Sequence, residues 1–174
     1  MLVYCVWGDE MLKMLRPDFF VKCISDIDLE ALKARGITAV ILDLDNTLDS
    51  HNTKMPSPRA LAFLDKLKQM GFSFCIISNG KLKRVETYLQ DLSVPFMANA
   101  GKPLKKSYKK ALDILNTPPH CTAFIGDQIF TDVWGANRMG LWTVLTEPIE
   151  QYENSFFYIK RFLERILKLN IPKE

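Results

Sequence analysis

The most strand-like segment of the sequence ends in two carboxylates. An apolar run, Ala39–Leu42, leads directly into Asp43 and Asp45, which are one residue apart, and Thr47 follows Asp45 at the same spacing. Burying a carboxylate is strongly unfavourable unless a cation or several hydrogen bonds compensate it. Two aspartates at the end of a buried strand therefore require a compensating partner, and this requirement points to a binding site.

Three other apolar segments also end in residues that can do chemistry. They supply hydroxyl, amide, ammonium and carboxylate groups beside glycines at 80, 101 and 126. The polar residues at the four segment ends are Asp43, Asp45, Asn46, Thr47, Ser78, Asn79, Lys102, Asp127 and Asp132.

This collection contains donors for both a cation and an anion. Clustered carboxylates repel one another, and oxygen ligands without Cys or His favour a hard cation, for which we expect Mg²⁺. Ser78, Asn79, Lys102 and nearby backbone N–H groups suit an anion instead. A hard cation beside an anion-binding cradle is the equipment for phosphoryl transfer.

The elements that must position these residues alternate between strand and helix. Such alternation with short connections predicts an α/β fold with a central parallel sheet and helices on both faces. In such sheets ligands bind outside the carboxyl ends of the strands, where the polar residues are expected to converge. The predicted strands are 37–42, 72–77, 94–98, 122–125 and 142–145, and the predicted helices are 26–34, 58–70 with Ser57 as N-cap, 81–92, 104–115, 131–139 and 152–169.

The order of the motifs resembles that of a known superfamily. DLDNT at 43–47, ISN at 77–79, GKP at 101–103 and GDQIFTD at 126–132 are similar to the four motifs of the haloacid dehalogenase (HAD) superfamily of aspartate-nucleophile phosphatases. The resemblance spans roughly residues 16–148. More narrowly, residues 15–48 are similar to the opening of the YqeG-type phosphatases of subfamily IIIA, which in turn resemble phosphatidylglycerophosphate phosphatases of mitochondria and plastids.

The resemblance implies a Rossmann-like (HAD-like) three-layer sandwich and covalent catalysis through a carboxylate. It assigns the nucleophile to Asp43 and the proton transfers to Asp45. It implies Mg²⁺ bound by the carboxylates of Asp43 and Asp127 and by the backbone carbonyl of Asp45.

The remaining motif residues receive supporting roles by the same resemblance. Ser78 and the backbone N–H of Asn79 would hold phosphate oxygens, and Lys102 would neutralise the nucleophile and the phosphate. Asp132 would orient Lys102 or a metal-bound water. Thr47, also counted among the phosphate-binding residues, is expected to form a hydrogen bond within the first loop and to stiffen Asp45. Gly126 is expected to allow a close backbone approach.

Many HAD enzymes carry a cap domain, and this sequence has no room for one. The stretch from 48 to 72 holds one loop and one helix, and the stretch from 80 to 101 holds one helix and one short strand. We therefore expect an open site that admits a phosphate on a bulky body. His51, although near the site in sequence, is interpreted as a solvated loop residue.

These observations predict a Mg²⁺-dependent phosphatase that hydrolyses a phosphate monoester through an aspartyl-phosphate. Phosphatidylglycerophosphate is the first substrate hypothesis, and another bulky phosphorylated substrate remains open. The alternative, from a different functional class, is a non-catalytic phosphate-binding protein with a HAD fold that serves in regulation or assembly. Intact acidic motifs favour the enzyme, because losing one carboxylate would disable the chemistry while preserving the fold.

The whole-chain properties set limits on location and partners. The 174 residues carry a net charge of +3 and no membrane-span-length apolar run, so we expect one cytoplasmic domain with a core at about 16–148 and no nucleic-acid partner. The four cysteines are interpreted as free thiols. The predicted helix at 152–169 is basic and amphipathic, which suits packing on the sheet or in a homodimer, or peripheral contact with the anionic inner membrane face.

Overall fold

A parallel six-stranded sheet forms the centre of the protein. The structure, a computed structural model, describes residues 12–150, so the predicted helix at 152–169 lies outside the described residues. The strand order is β1-β6-β5-β2-β3-β4, and every adjacent pair is parallel. The strands are β1 (Phe19–Val21), β2 (Ala39–Leu42), β3 (Ser73–Ile77), β4 (Phe96–Met97), β5 (Thr122–Gly126) and β6 (Trp142–Thr146).

Helices cover both faces of this sheet. Alternate residues of β2 belong to different apolar clusters, since Val40 and Leu42 pack on one face and Ala39 and Ile41 on the other. This period of two is the geometry of a strand buried on both sides. Helices α1 to α3 supply the first cluster, and α4 and α5 the second. The helices are α1 (Leu29–Ala34), α2 (Pro58–Gln69), α3 (Leu82–Leu89), α4 (Lys105–Leu115) and α5 (Trp134–Asn137).

The register of the central strands decides where the functional residues meet. Leu42, the last residue of β2, is level with Ile76 in β3 and Ile125 in β5. The chain segments after these three strands therefore emerge side by side at one edge of the sheet. The predicted three-layer α/β architecture with polar residues at this edge is confirmed.

Several predicted boundaries are wrong, and one strand is missing from the prediction. β1 is a three-residue strand that pairs only with β6, and its partly exposed side chains give no alternating signal. The predicted helix at 26–34 begins at Leu29, because the Asp28 side chain accepts a hydrogen bond from the Ala31 N–H and caps it there. The predicted helix at 131–139 is a π-helical turn, Ile129–Val133, followed by the single turn of α5.

The described cysteines match the predicted free thiols. Cys75 is buried in β3, and burial raises the pKa of its thiol to about 12. Cys23 and Cys121 are half-buried, and all three are free. Within residues 12–150, none of the helices has the length and apolar character needed to cross a membrane.

The α2 cap provides a test of the local folding argument. The Ser57 hydroxyl accepts a hydrogen bond from the Ala60 N–H at 3.2 Å, and Pro58 follows as the first helical residue. We expect Ser57→Ala to lower the free energy of unfolding by about 1 kcal/mol in urea denaturation. Ser73→Ala, at an exposed strand start, should change it by less than about 0.5 kcal/mol. Equal losses in both variants would show that the cap has no special contribution.

Candidate active site

Asp43 lies at the centre of the polar edge. Its backbone N–H donates to the Ile125 carbonyl at 2.9 Å, which continues the β2–β5 ladder by one residue and fixes the start of the side chain. The buried carboxylate contacts the Lys102 ammonium at 2.5 Å through Oδ1, and Oδ2 accepts a hydrogen bond from the Thr47 hydroxyl at 3.1 Å. The expected hydrogen bond of Thr47 within the first loop is therefore present, and its partner is Asp43.

The Lys102 ammonium bridges two carboxylates. It lies 2.7 Å from Asp132 Oδ1 as well as beside Asp43, and its side chain is buried. Burial alone would lower the pKa of Lys102, but the adjacent Asp132 and Asp43 carboxylates more than offset burial and raise the pKa above its ordinary value. Lys102 is therefore a fixed positive charge in this site.

Asp132 reaches this position because a glycine leaves room for it. A Cβ on Gly126 would lie 2.6 Å from the carboxyl carbon of Asp132, which is inside van der Waals contact. The Asp132 Oδ2 accepts a hydrogen bond from the Gln128 N–H at 3.0 Å. The close approach expected at Gly126 is thus an approach by the Asp132 carboxylate.

Three buried carboxylates meet at this edge. Asp43, Asp127 and Asp132 each place a carboxylate oxygen within 4.8 Å of the others. Burial raises the pKa of Asp43 well above its ordinary value; Lys102 opposes this effect, and Asp132 and Asp127 add to it. A cluster of three carboxylates with one ammonium is short of positive charge, and its all-oxygen donor set fits a hard divalent cation.

The second aspartate of the first motif occupies a different environment. The Asp45 carboxylate accepts a hydrogen bond from the Ser78 hydroxyl at 2.9 Å and lies 3.0 Å from Arg84 Nη2 and 3.2 Å from His51 Nδ1. His51, interpreted from the sequence as a solvated loop residue, is half-exposed yet contacts this carboxylate. The two aspartates of the motif therefore have different partners: Asp43 contacts Lys102, and Asp45 contacts Arg84.

Arg84 is a site residue that the sequence analysis missed. Its Nε donates to the His51 carbonyl at 2.9 Å and its Nη2 donates to the Ser50 carbonyl at 3.4 Å, so it also holds the loop after β2. Its guanidinium lies 5.3 Å from the ring centroid of Tyr88. Its place in the first turn of α3, directly after the ISN motif, could have identified it, but arginines at such positions are usually solvated.

The ISN motif fixes the position of the lysine motif. The Asn79 side chain accepts a hydrogen bond from the Lys102 N–H at 2.8 Å and donates to the Lys102 carbonyl at 3.2 Å. The Ser78 hydroxyl accepts a hydrogen bond from the Gly80 N–H at 2.8 Å while it donates to Asp45. The side chains expected to bind phosphate thus also hold the loops of the site in place.

A second carboxylate network supports the first motif loop. Asp49 Oδ2 accepts hydrogen bonds from the Tyr88 hydroxyl at 2.6 Å and the Ser57 N–H at 2.8 Å. The Asn46 N–H donates to the Asp49 carbonyl at 2.7 Å, and Asn46 has a φ of 68°, a conformation that asparagine tolerates better than most residues. This network fixes the turn that carries Asp45.

The site geometry agrees with comparisons of the whole sequence. Residues 12–140 match the haloacid dehalogenase-like hydrolase family. The chain belongs to this family. It is 35% identical over 153 residues to the probable phosphatase YqeG of Bacillus subtilis (strain 168), covering 88% of this chain and 89% of that protein. The predicted class, a hydrolase of the HAD phosphatase type, is confirmed.

A more distant sequence relative and a solved structure also match this HAD hydrolase. It is 29% identical to the chloroplastic/mitochondrial phosphatidylglycerophosphate phosphatase 1 of Arabidopsis thaliana over 171 residues, which cover 87% of this chain but only 49% of that protein. The structure of NagD from E. coli K-12 superposes with a TM-score of 0.57 at 13% identity, covering 79% of this chain and 94% of NagD. At this identity the likeness to NagD shows the fold alone.

The contact between Gly126 and Asp132 can be tested in this HAD hydrolase. Gly126→Ala should displace the Asp132 carboxylate from Lys102 and lower kcat at least about tenfold, since small misplacements of catalytic groups are costly. In an Asp132→Gly background, which removes both the carboxylate and the Cβ that the new methyl group would meet, Gly126→Ala should have little further effect on kcat. Additive losses in this double-mutant cycle would contradict the argument, and circular dichroism would verify that all variants fold.

Proposed function

We propose that the chain is a Mg²⁺-dependent phosphatase that hydrolyses a phosphate monoester through an aspartyl-phosphate on Asp43. One observation carries the proposal: the Asp43 carboxylate is buried against the Lys102 ammonium and within 4.8 Å of two further carboxylates. A nucleophilic carboxylate must be ionised; burial and the two further carboxylates raise the pKa of Asp43, so Lys102 together with a bound cation would be needed to hold it ionised.

The metal would be held by carboxylates at the ends of β2 and β5. We assign it to Asp43 and Asp127, with the backbone carbonyl of Asp45 as the third protein ligand. When bound, Mg²⁺ would neutralise charge on the phosphate. It would also balance the negative charge of the carboxylate cluster, which Lys102 alone does not balance. Asp132, the third member of the buried cluster, is already engaged with Lys102, so we assign it to positioning that lysine.

The reaction would proceed in two steps with Asp45 transferring the proton. In the first, an Asp43 oxygen forms a bond to phosphorus while the bond from phosphorus to the leaving oxygen breaks, and Asp45 gives its proton to that oxygen. In the second, Asp45 takes a proton from water, the water oxygen bonds to phosphorus, and the bond from Asp43 to phosphorus breaks. Inorganic phosphate leaves and Asp43 is regenerated.

The phosphate oxygens would be bound by groups that already surround the site. Lys102 supplies the positive charge and the backbone N–H of Asn79 a hydrogen-bond donor; the Ser78 hydroxyl, which donates to Asp45 in this structure, would turn toward the phosphate to supply a second donor. Thr47, included as a phosphate-binding residue from sequence, donates to Asp43 in this structure, so its proposed contribution is to orient the nucleophile.

For the substrate we propose a phosphate on a bulky body, with phosphatidylglycerophosphate as the first candidate. Between β2 and β3 the chain forms one loop and α2, and between β3 and α4 it forms α3 and β4, so these described segments contain no cap domain. A site without a cap supports a large substrate. The named activity of the Arabidopsis relative adds support, although the chain spans about half of that protein's length.

Substitution of the nucleophile distinguishes an enzyme from the alternative, a non-catalytic phosphate-binding protein. We expect wild-type protein with Mg²⁺ to release phosphate from 4-nitrophenyl phosphate, and Asp43→Asn to lower kcat at least about a thousandfold, because the amide cannot form the covalent intermediate. EDTA should abolish the wild-type activity, and added Mg²⁺ should restore it. No hydrolysis of any member of a broad phosphate panel by wild-type protein would favour the non-catalytic alternative.

The contact between Arg84 and Asp45 predicts a dependence on the leaving group. If Arg84 positions Asp45 for proton transfer, Arg84→Ala should lower kcat/KM, which reports the steps up to formation of the aspartyl-phosphate, about a hundredfold for an alkyl phosphate, whose leaving oxygen needs the proton. The loss should be only a few-fold for 4-nitrophenyl phosphate, whose leaving group departs readily without it. Added guanidinium should restore part of the lost activity. Equal losses on both substrates would indicate a general structural defect instead.

A further inference from the structure

The most exposed apolar side chains of the described chain are concentrated around the candidate active site. Leu104 is 65% exposed, Met55 61% and Leu82 49%, and among the large apolar residues of 12–150 only Leu12 lies in the same range, at 51%. These three residues follow β4, β2 and β3 respectively, so they belong to the loops at the carboxyl edge of the sheet.

Hydrogen bonds at the site tie these three loops together. The loop after β2, which carries Met55, is held by the bond from Arg84 to the His51 carbonyl, and Leu82 lies two residues before Arg84. The Asn79 side chain holds the backbone of Lys102, which lies two residues before Leu104. The three apolar side chains therefore belong to segments that hydrogen bonds join at the site.

Each of these apolar residues has a lysine as its sequence neighbour. The sequences are Lys-Met at 54–55, Lys-Leu-Lys at 81–83 and Leu-Lys-Lys at 104–106, and all five lysines are exposed. The segments that bear them, 50–57, 79–85 and 99–110, which include the first turns of α3 and α4, contain no Asp or Glu, and the exposed Glu86 follows the second segment directly. We call this surface the basic-apolar rim; its members are Lys54, Met55, Lys81, Leu82, Lys83, Leu104, Lys105 and Lys106.

The positive surface continues from the rim along α4. Lys105, Lys106 and Lys109 line an open cleft of about 390 Å³ together with Arg138 and Met139. Two exposed carboxylates lie near this surface: Glu86 is four residues after Leu82 in α3, and Glu150 donates its N–H to Asn46 Oδ1 at 3.3 Å, beside the first motif loop. The rim therefore carries more cationic than anionic groups beside its exposed apolar side chains.

We propose that the basic-apolar rim docks the active site onto an anionic lipid bilayer. Exposed leucine and methionine side chains enter the headgroup region, and the flanking lysines contact lipid phosphates, which is the division of labour found at membrane-binding surfaces. A nucleic-acid surface would use the lysines but gives no reason to expose the three apolar side chains beside them. The proposal rests on the proposed function, since docking would bring a lipid phosphate to Asp43.

Sedimentation of the full chain with vesicles tests this docking. Wild-type protein should bind phosphatidylglycerol vesicles and not phosphatidylcholine vesicles. The apolar variant Met55→Ser/Leu82→Ser/Leu104→Ser should bind phosphatidylglycerol at least about tenfold more weakly, because it removes three exposed apolar side chains that docking would bury in the bilayer. Lys81→Glu/Lys105→Glu should weaken binding by at least about tenfold as well, since each lysine near an anionic surface contributes about fivefold.

Two matched controls change residues at the opposite edge of the sheet. Ile114→Ser, near the end of α4, removes an exposed apolar side chain, and Lys66→Glu/Lys68→Glu, in the last turn of α2, makes the same charge change as the lysine pair. Both controls should bind phosphatidylglycerol vesicles like wild type. Equal weakening by the control charge pair would show that net charge, not the rim, determines binding, and would overturn the proposal.

Three further outcomes would overturn the docking proposal. Wild-type protein could fail to bind phosphatidylglycerol, or both rim variants could bind like wild type, in which case another segment contacts the bilayer. Binding of a single-stranded oligonucleotide that is lost in the lysine variant but kept in the apolar variant would assign the rim to nucleic acid instead. Because sedimentation needs no catalysis, a protein that binds vesicles but hydrolyses no phosphate would contradict the proposed function and leave the docking intact.

Discussion

The contact of one buried ammonium with two buried carboxylates is the interaction on which this site depends. Lys102 is enclosed between Asp43 and Asp132, and Asp127 completes the cluster. Removing a charge from water is unfavourable unless partners compensate it, and one ammonium balances only part of the charge of three carboxylates. The site is therefore arranged for more positive charge than the chain supplies, and that shortage is the physical basis for proposing a divalent metal.

The fold produces this cluster through backbone register and two local constraints. Adjacent parallel strands β2 and β5 end level with each other, so Asp43 and Asp127 begin next to each other. The Asn79 side chain fixes the backbone of Lys102, which arrives from a more distant strand. The absence of a side chain at Gly126 admits the carboxylate of Asp132. Sheet topology, one amide and one glycine together determine where the charges meet.

The architecture and the buried cluster could be predicted because apolar strand runs and the polar residues after them are adjacent in sequence. Arg84 and His51 could not be predicted as site residues. Their contacts with Asp45 depend on how α3 packs beside the loop after β2, and neither residue type signals such a contact by itself. The hydrogen bond of Thr47 within the first loop was expected, but its partner, the Asp43 carboxylate, could not be read from the spacing alone. The strand β1 was missed because it is short and at the sheet edge.

A crystal structure of the protein with Mg²⁺ and beryllium fluoride tests the central claim most directly. The account predicts beryllium bonded to an Asp43 oxygen, Mg²⁺ coordinated by the carboxylates of Asp43 and Asp127, and Lys102 still bridging Asp43 and Asp132. Beryllium fluoride absent from Asp43, or a metal bound away from the Asp43–Asp127 pair, would contradict the account.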